Sequence, residues 1–162
     1  MVVRASWLLT ALSALLVLWL VWLFLLWRPA RQVELHTLNL LERASAREWP
    51  AVEAMMAADY RDAWGHDRAS AIDEARQLFS HFFALQIVAL EPLRITGENE
   101  ALAVSAPVGV FGSGTAVAQA VIEEVREARG DAVFVWRRVG GWPWQWALAE
   151  VRHAELAGRW PR

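Results

Sequence analysis

One carboxylate occupies a position where acid–base chemistry would be expected. A helix is predicted over residues 50–63, and Met55, Met56 and Ala63 share one of its faces. Asp59 falls in the middle of this apolar face, within one turn of each methionine. A carboxylate that is removed from water needs partners or stays protonated, so the pKa of Asp59 is expected to rise.

Two interpretations of Asp59 are compatible with this position. In the functional one, Asp59 is an acid or base in an apolar pocket. In the structural one, it pairs with Arg68 or Arg138, or accepts hydrogen bonds from the backbone near Gly65. Structural ion pairs also perturb pKa values, and we favour the structural interpretation.

Aromatic side chains supply the other candidates for a binding site. Tyr60 and Trp64 flank Asp59 at the end of the predicted helix, where they would line a pocket or pack in the core. A cluster of Trp residues surrounds a predicted hairpin near the C-terminus, at positions 136, 142, 144 and 146. Core packing is favoured for this cluster over a ligand wall or a surface lying on a bilayer. The pocket candidates are Asp59, Tyr60, Trp64, Phe83, Trp136 and Trp146.

Metal and cofactor chemistry finds little support in the sequence. Asp62, His66 and Asp67 resemble metal ligands, but the first two straddle a predicted helix end at Gly65 and a third partner is not evident. A solvated loop is the preferred interpretation. The chain has no Cys, which excludes disulfides and thiolate nucleophiles. No Ser-His-Asp arrangement or phosphate-binding glycine loop is recognisable, so neither a metal nor a cofactor is predicted.

The charge balance argues against nucleic-acid binding. Arg4 is the only charged residue before Arg28, so 15 of the 16 basic residues, all Arg, follow it together with all 18 acidic residues. The part of the chain after the N-terminal segment is therefore slightly acidic. A nucleic-acid domain needs a basic face to meet phosphates.

The N-terminal segment predicts a transmembrane anchor. Residues 5–27 carry no charge, and a helix of this length rises about 34 Å, enough to cross a hydrocarbon core of roughly 30 Å. Trp7 and Trp27 lie near its two ends, where an indole prefers the interface. The alternative is a cleaved signal peptide, but the run is longer than such a core and lacks a small-residue cleavage site. The chain then divides into a tail (1–4), the anchor, a linker (28–33), a folded domain (34–156) and a C-terminal tail (157–162).

The orientation of this anchor is open on sequence grounds. Arg28, Arg31, Arg43 and Arg47 follow the span, which favours a cytoplasmic domain by the positive-inside rule. The short tail with Arg4 before the hydrophobic run is instead typical of a signal-anchor, which exports the rest of its chain. We favour a single-pass protein of the cell membrane with its domain on the extracytoplasmic face.

The remaining sequence predicts helices followed by strands. Helices are expected over 32–48, over 50–63 with Gly65 as its C-cap, and from a cap at Asp67 or Ser70 to about Leu85. Strands are expected over 85–96, 101–110, 132–138 and 144–153, with glycines 109, 112 and 114 in a loop. Residues 116–128 have helix propensity but also alternate, and we predict a strand because a meander would need it. This order indicates an α+β fold, with three helices packed on a curved antiparallel sheet of four to five strands.

Several phrases resemble the nuclear-transport-factor-2-like superfamily, which includes ketosteroid isomerases, scytalone dehydratases and polyketide cyclases. They are DYRDAW at the end of the second helix, DRAS before the third, and the late hairpin VWRRVGGWPWQWAL. The resemblance covers about residues 34–156 and implies a cone, in which a curved sheet wraps the helices around an apolar pocket. Isomerases of this superfamily use an Asp base with Tyr and Asp donors, and dehydratases use a His–Asp pair. Neither set aligns onto this chain.

Three functions are compatible with this sequence. The first is a membrane-tethered domain that binds a small apolar ligand or a partner protein. The second is an isomerase- or dehydratase-like enzyme, with Asp59 as acid–base and Tyr60 as donor. The third is a subunit that forms a homodimer through its sheet and acts in a membrane assembly, as the resemblance implies. The absence of an alignable polar constellation favours the first or the third over the enzyme, and the first is the function that we predict.

Overall fold

The computed structural model describes residues 2–98 and 100–156. Asn99 and the predicted C-terminal tail lie outside the described residues. The helices are α1 (Val2–Leu26), α2 (Pro29–Ser45), α3 (Trp49–Ala54), α4 (Arg68–Phe79) and α5 (Ala116–Glu127). The strands are β1 (Phe82–Ala89), β2 (Arg94–Glu98), β3 (Ala101–Ala106), β4 (Val108–Gly114), β5 (Ala132–Arg138) and β6 (Trp146–His153).

The six described strands form two antiparallel sheets, where one sheet of four to five strands was expected. The larger sheet has the order β2-β3-β5-β6, and the smaller one pairs β1 with β4. Pro107 separates β3 from β4, because it has no N–H to donate to a strand ladder. The predicted strand 101–110 is therefore divided between the two sheets. The α+β class with helices packed on antiparallel sheets is confirmed.

The main core lies between α2 and the inner face of the larger sheet. Alternate residues of each strand point inward, as the period of two requires. The strands contribute Leu102, Val104, Phe134, Trp136, Trp146 and Leu148, and α2 contributes Val33, Leu40 and Leu41. All are at most 6% exposed. A second cluster, in which Phe82 meets Ala118, Val121 and Ile122, joins the smaller sheet to α5.

Helix α1 carries the uncharged N-terminal run. Large apolar side chains along it, among them Leu12, Leu18 and Trp22, are exposed to solvent. Among the described residues, no helix on its own meets the length and hydropathy expected of a membrane span. The helical stretches Thr10–Leu25 and Pro29–Ser45, bent by 70° at the break between them, meet it as a pair.

The prediction of a strand over residues 116–128 is wrong, because this segment is the helix α5. Ala118, Val121, Ile122 and Val125 recur at helical spacing and pack on Phe82 and its neighbours. The larger sheet does not need this segment, since β3 pairs directly with β5. Local helix propensity is therefore satisfied, and in the part of the chain that the structure describes four helices follow α1 instead of the expected three.

The prediction of a helix over residues 50–63 is also wrong beyond Ala54, where α3 ends. The chain from Met55 onward runs beside β6 and exchanges backbone hydrogen bonds with it. The amide of Ala57 donates to Leu148 over 2.8 Å, and the amide of Arg61 donates to Ala149 over 3.1 Å. Gly65 is therefore no helix cap; it occupies a turn with φ of +93°, where a side chain would be strained.

The remaining boundaries follow local chemistry. Asp67 is the N-cap of α4, and its carboxylate accepts from the amide of Ser70 over 3.0 Å, as expected from the cap signal. This helix ends at Phe79 instead of Leu85. The predicted glycine loop at 109–114 is part of β4, and the predicted strand 85–96 is divided between β1 and β2. The predicted helix over 32–48 and the predicted strand over 132–138 are confirmed, as α2 and β5, within a few residues.

Candidate functional site

A surface cleft of about 330 Å³ lies where the segment after α3 meets the start of α4. Two of the sequence candidates, Asp59 and Tyr60, line it. The other lining residues are Ala58, Arg61, Asp67, Arg68 and Ala69. The cleft therefore presents two carboxylates and two guanidinium groups, which suits a polar or charged group better than an apolar ligand.

The expectation that Asp59 is withdrawn from water is wrong. Its side chain is 66% exposed and forms an ion pair with Arg137. The hydrogen bond from Arg137 is the main cause that lowers the pKa of Asp59, where a raised pKa was expected. The physical reason is that α3 ends at Ala54, so Asp59 does not lie on the apolar face of a helix. An ion pair with Arg was expected, but the partner is Arg137 and not Arg68 or Arg138.

Asp62 is the buried carboxylate of this region, with a side chain 5% exposed. One of its oxygens accepts from the amides of Trp64, over 3.0 Å, and His66, over 2.8 Å. The other oxygen lies 3.0 Å from Nδ1 of the His66 ring. These bonds close the turn around Gly65, as Asp side chains commonly do. No group of three or more potential metal ligands occurs among the described residues.

The space between α2 and the larger sheet, where an apolar pocket was expected, is filled by side chains. Tyr60, Trp136 and Trp146 are at most 5% exposed and pack with Met56 and Leu148 in the main core. Burial raises the pKa of Tyr60 well above its usual value, and the nearby Asp62 contributes further. The phenol therefore stays protonated at physiological pH.

A polar contact fixes the largest of these side chains. The indole N–H of Trp136 donates to the hydroxyl oxygen of Thr37 over 2.9 Å. The ring of His36 lies beside the indole, with 5.4 Å between ring centroids, and its Nε2 is 3.1 Å from the backbone oxygen of Trp144. Burial lowers the pKa of His36, and the hydrogen bond to Trp144 opposes this shift only in part.

The last two sequence candidates lie elsewhere. Trp64 is half-buried, and its indole N–H donates to the backbone oxygen of Leu156 over 3.2 Å. Phe83 is 78% exposed at the start of β1. Trp144, for which core packing was favoured, precedes β6 and is exposed. The six candidates thus do not form one pocket.

Sequence reasoning missed Arg68 as part of the cleft and Arg137 as the partner of Asp59. The Nε atom of Arg68 is buried without a hydrogen-bond partner among the described residues, while its Nη2 lies 3.4 Å from Glu53. Arg68 directly follows the N-cap Asp67, and this position beside a helix start is the signal available in the sequence. Arg137 gives no such signal, because its contact with Asp59 joins distant parts of the chain.

We compared the chain with protein families, curated sequences and solved structures, and only the solved structures match. No protein-family model and no curated protein sequence matches the chain. Solved structures do match. Bd1075 of Bdellovibrio bacteriovorus superposes with a TM-score of 0.57 at 10% identity, over 76% of this chain and 40% of that one. A candidate scytalone dehydratase from Novosphingobium aromaticivorans gives 0.56 at 14% identity, over 77% and 83% of the two chains.

A protein of Novosphingobium aromaticivorans with a nuclear-transport-factor-2-like, cystatin-like fold gives a TM-score of 0.52 at 16% identity, over 88% of this chain and 86% of that one. The chain therefore has the nuclear-transport-factor-2-like, or cystatin-like, α+β fold, and the resemblance seen in the sequence is confirmed at this level. The matched region spans less than half of Bd1075. A fold shared at such low identity does not carry a chemistry with it.

Proposed function

We propose that this protein is a membrane-tethered domain that binds a partner at its surface and holds no ligand inside its cone. The filled interior carries this proposal. Trp136 is fully buried where a ligand would lie, and Trp146 is 5% exposed. Ligand sites of this kind are usually open clefts or cavities of several hundred Å³ lined by apolar groups. The surface cleft of about 330 Å³ instead has four charged residues among its seven lining residues: Asp59, Arg61, Asp67 and Arg68.

The tether is supported by α1. Its run from Ala5 to Trp27 contains no charge, and large apolar side chains along it are exposed to solvent. Such a surface is unfavourable in water but well matched to lipid. At its end, the guanidinium of Arg28 lies 6.0 Å from the ring centroid of Phe24, with the charged group next to the apolar run. Arginine beside an aromatic ring is suited to the membrane interface.

The enzyme alternative is weaker on this geometry. Neighbours of the fold include candidate dehydratases, and the cleft does hold Asp59 and Tyr60. However, general acid–base catalysis works best with a pKa near the working pH. The ion pair with Arg137 moves the pKa of Asp59 downward, and burial moves that of Tyr60 upward. Both shifts are away from neutrality.

Flotation of the full chain with phosphatidylcholine vesicles tests the tether. We expect the protein to float with the vesicles and to stay bound in alkaline carbonate. Leu16 and Leu20 lie near the middle of the run and are exposed, so replacing both by Arg should release the protein. Each Arg costs about 2.5–3.5 kcal/mol at a helix centre. The matched control is Leu38→Arg in α2, also an exposed leucine, which should leave flotation intact.

Orientation is tested in intact cells. The chain has no Cys, so Phe83→Cys gives a single exposed thiol in the folded domain. We propose that the domain faces the extracytoplasmic side of the cell membrane, and a membrane-impermeant maleimide should then label intact cells. Labelling that begins only after lysis would place the domain in the cytoplasm.

A further inference from the structure

The loop between β5 and β6 presents two tryptophans to solvent. We name residues 139–145, between Arg138 and Trp146, the Trp hairpin. Trp142 is 60% exposed and Trp144 is 48% exposed, and their rings stack with 5.1 Å between centroids. Val139 at the start of the loop is 58% exposed. An exposed cluster of this kind on a polar domain marks an interaction surface.

The hairpin is held in one conformation by its own hydrogen bonds. Gln145 is central to them, since its side-chain oxygen accepts from the amide of Trp142 over 3.0 Å and its backbone oxygen accepts from Val139 over 2.9 Å. The indole N–H of Trp146 donates to Pro143 over 2.8 Å. The exposed rings are therefore presented by an ordered turn, so docking them onto a partner requires little further ordering.

The hairpin lies close to the proposed membrane end of the domain. The backbone oxygen of Trp144 is 3.1 Å from Nε2 of His36. His36 is about two turns, or roughly 12 Å, along α2 from Arg28, where the apolar run ends. The two exposed indoles thus lie within reach of the bilayer that α1 would enter.

The charge of the hairpin also fits a lipid surface. Residues 139–145 contain no acidic side chain. The guanidinium of Arg138 lies across the turn and donates from Nε to Gly140 and from Nη2 to Gly141, each over 3.1 Å. None of the ion pairs among the described residues includes Arg138. An Arg without an acidic partner, next to exposed indoles, matches anionic headgroups at the interface.

We infer that the Trp hairpin is a second membrane contact, which inserts Trp142 and Trp144 into the interfacial layer while Arg138 meets anionic headgroups. This inference rests on the proposed tether, because the hairpin alone is a small surface. It would fix the orientation of the domain on the bilayer and thereby the direction in which the charged cleft faces.

The test uses the full chain in vesicles of phosphatidylcholine with a minority of phosphatidylglycerol. A nitroxide on Val139→Cys reports the environment of the hairpin and leaves both indoles in place. We expect this label to be accessible to oxygen, which concentrates in lipid, and protected from a water-soluble nickel chelate. A nitroxide on Phe83→Cys should show the reverse pattern, because the preceding residue, Phe82, accepts from Arg47 just beyond the opposite end of α2.

Adding Trp142→Ser and Trp144→Ser to the labelled Val139→Cys chain should remove the protection from nickel. In vesicles of phosphatidylcholine alone, which lack anionic headgroups for Arg138, the nitroxide should be less protected from the nickel chelate. The hairpin contact would be overturned if the nitroxide at position 139 were as accessible to the nickel chelate as the nitroxide at position 83. If that protein still resisted extraction by carbonate, the tether would be unaffected. Protection that persists after both serine substitutions would also overturn the hairpin contact. Loss of the protein from vesicles in carbonate would instead refute the tether, and the hairpin contact with it.

Discussion

Trp136 and Thr37 are joined by a hydrogen bond of 2.9 Å in the centre of the folded domain. The Thr37 hydroxyl also donates to the backbone oxygen of Val33, one turn earlier in α2, over 2.8 Å. Both side chains are fully buried. The bond therefore fixes the largest core side chain to the helix that covers the sheet, and it satisfies a donor that has no access to water.

Thr37→Val should destabilise the protein although it preserves the side-chain shape. It leaves the indole N–H of Trp136 buried without an acceptor, at a cost of about 1–3 kcal/mol. In a Trp136→Phe background, which lacks that donor, the same substitution should cost much less. Urea unfolding of the four proteins in detergent micelles gives the coupling energy directly. Strictly additive effects would show that the hydrogen bond contributes nothing.

Trp136→Ala should open an apolar cavity at the centre of the domain. The expected cost is about 3–5 kcal/mol, the usual range for truncating a buried aromatic. Free indole should then raise the unfolding midpoint of the variant by filling the cavity, as binding to the native state alone stabilises it. The wild-type midpoint should not respond, because Trp136 already occupies this space.

Trp142→Ala is the control for this experiment. Trp142 is exposed, so its removal leaves no cavity and should give no response to indole. Stabilisation of the wild-type protein by indole would show an open internal pocket. That result would contradict the proposal that the interior holds no ligand.

The strands were largely predictable because their signals are local. Residues 132–138 combine β-branched and aromatic side chains, and Leu102, Val104 and Ala106 alternate as the buried face of β3. The segment 55–63 was not predictable from its composition, which suits a helix. It forms turns and single bridges beside β6 instead of a helix, because the amides of Ala57 and Arg61 bond to Leu148 and Ala149 of β6, about ninety residues away along the chain.

The error concerning Asp59 arises from that one segment. Asp59 was placed on an apolar helical face, and without the helix the face does not exist. The neighbouring Asp62 is the carboxylate that the fold buries, because its oxygens meet the amides of a turn. Helix propensity and hydrophobic periodicity do not distinguish Asp59 from Asp62, since only the path of the backbone decides which of the two carboxylates is buried. Core packing was predicted for all four Trp residues of the late hairpin. It is confirmed for Trp136 and Trp146, which lie on strands, and wrong for Trp142 and Trp144, which are exposed in the loop between them.

Asp62→Ala and Asp59→Ala should therefore differ clearly in stability. Removing Asp62 leaves the amides of Trp64 and His66 without their acceptor, at a cost of about 1–3 kcal/mol. Removing Asp59 breaks only an exposed ion pair with Arg137, and exposed pairs contribute little. Urea midpoints of the two variants in the full chain compare them. A loss at Asp59 equal to that at Asp62 would mean that Asp59 has a role beyond its ion pair.

The stability of the domain should depend on His36 as the pH falls. Burial against Trp136 holds the pKa of His36 below its usual 6.5, and the hydrogen bond to Trp144 offsets this only in part. On acidification the unfolded chain binds the proton first, so His36 favours the folded state above pH 6.5. That contribution should be lost progressively as the pH falls from 6.5 toward the lower pKa of the folded state.

His36→Gln removes this titration and keeps an N–H donor near the backbone oxygen of Trp144. As the pH falls from neutral to the onset of carboxylate protonation, the free energy of unfolding of the variant should decrease less than that of the wild type. Urea midpoints measured across this range give the two slopes. His81→Gln is the matched control, since His81 lies in the turn before β1 and away from the Trp136 contact. Of the two histidines, His36 is the one held against the indole of Trp136 and the backbone oxygen of Trp144. If both substitutions change the dependence of the urea midpoint on pH equally, the burial of His36 does not govern that dependence.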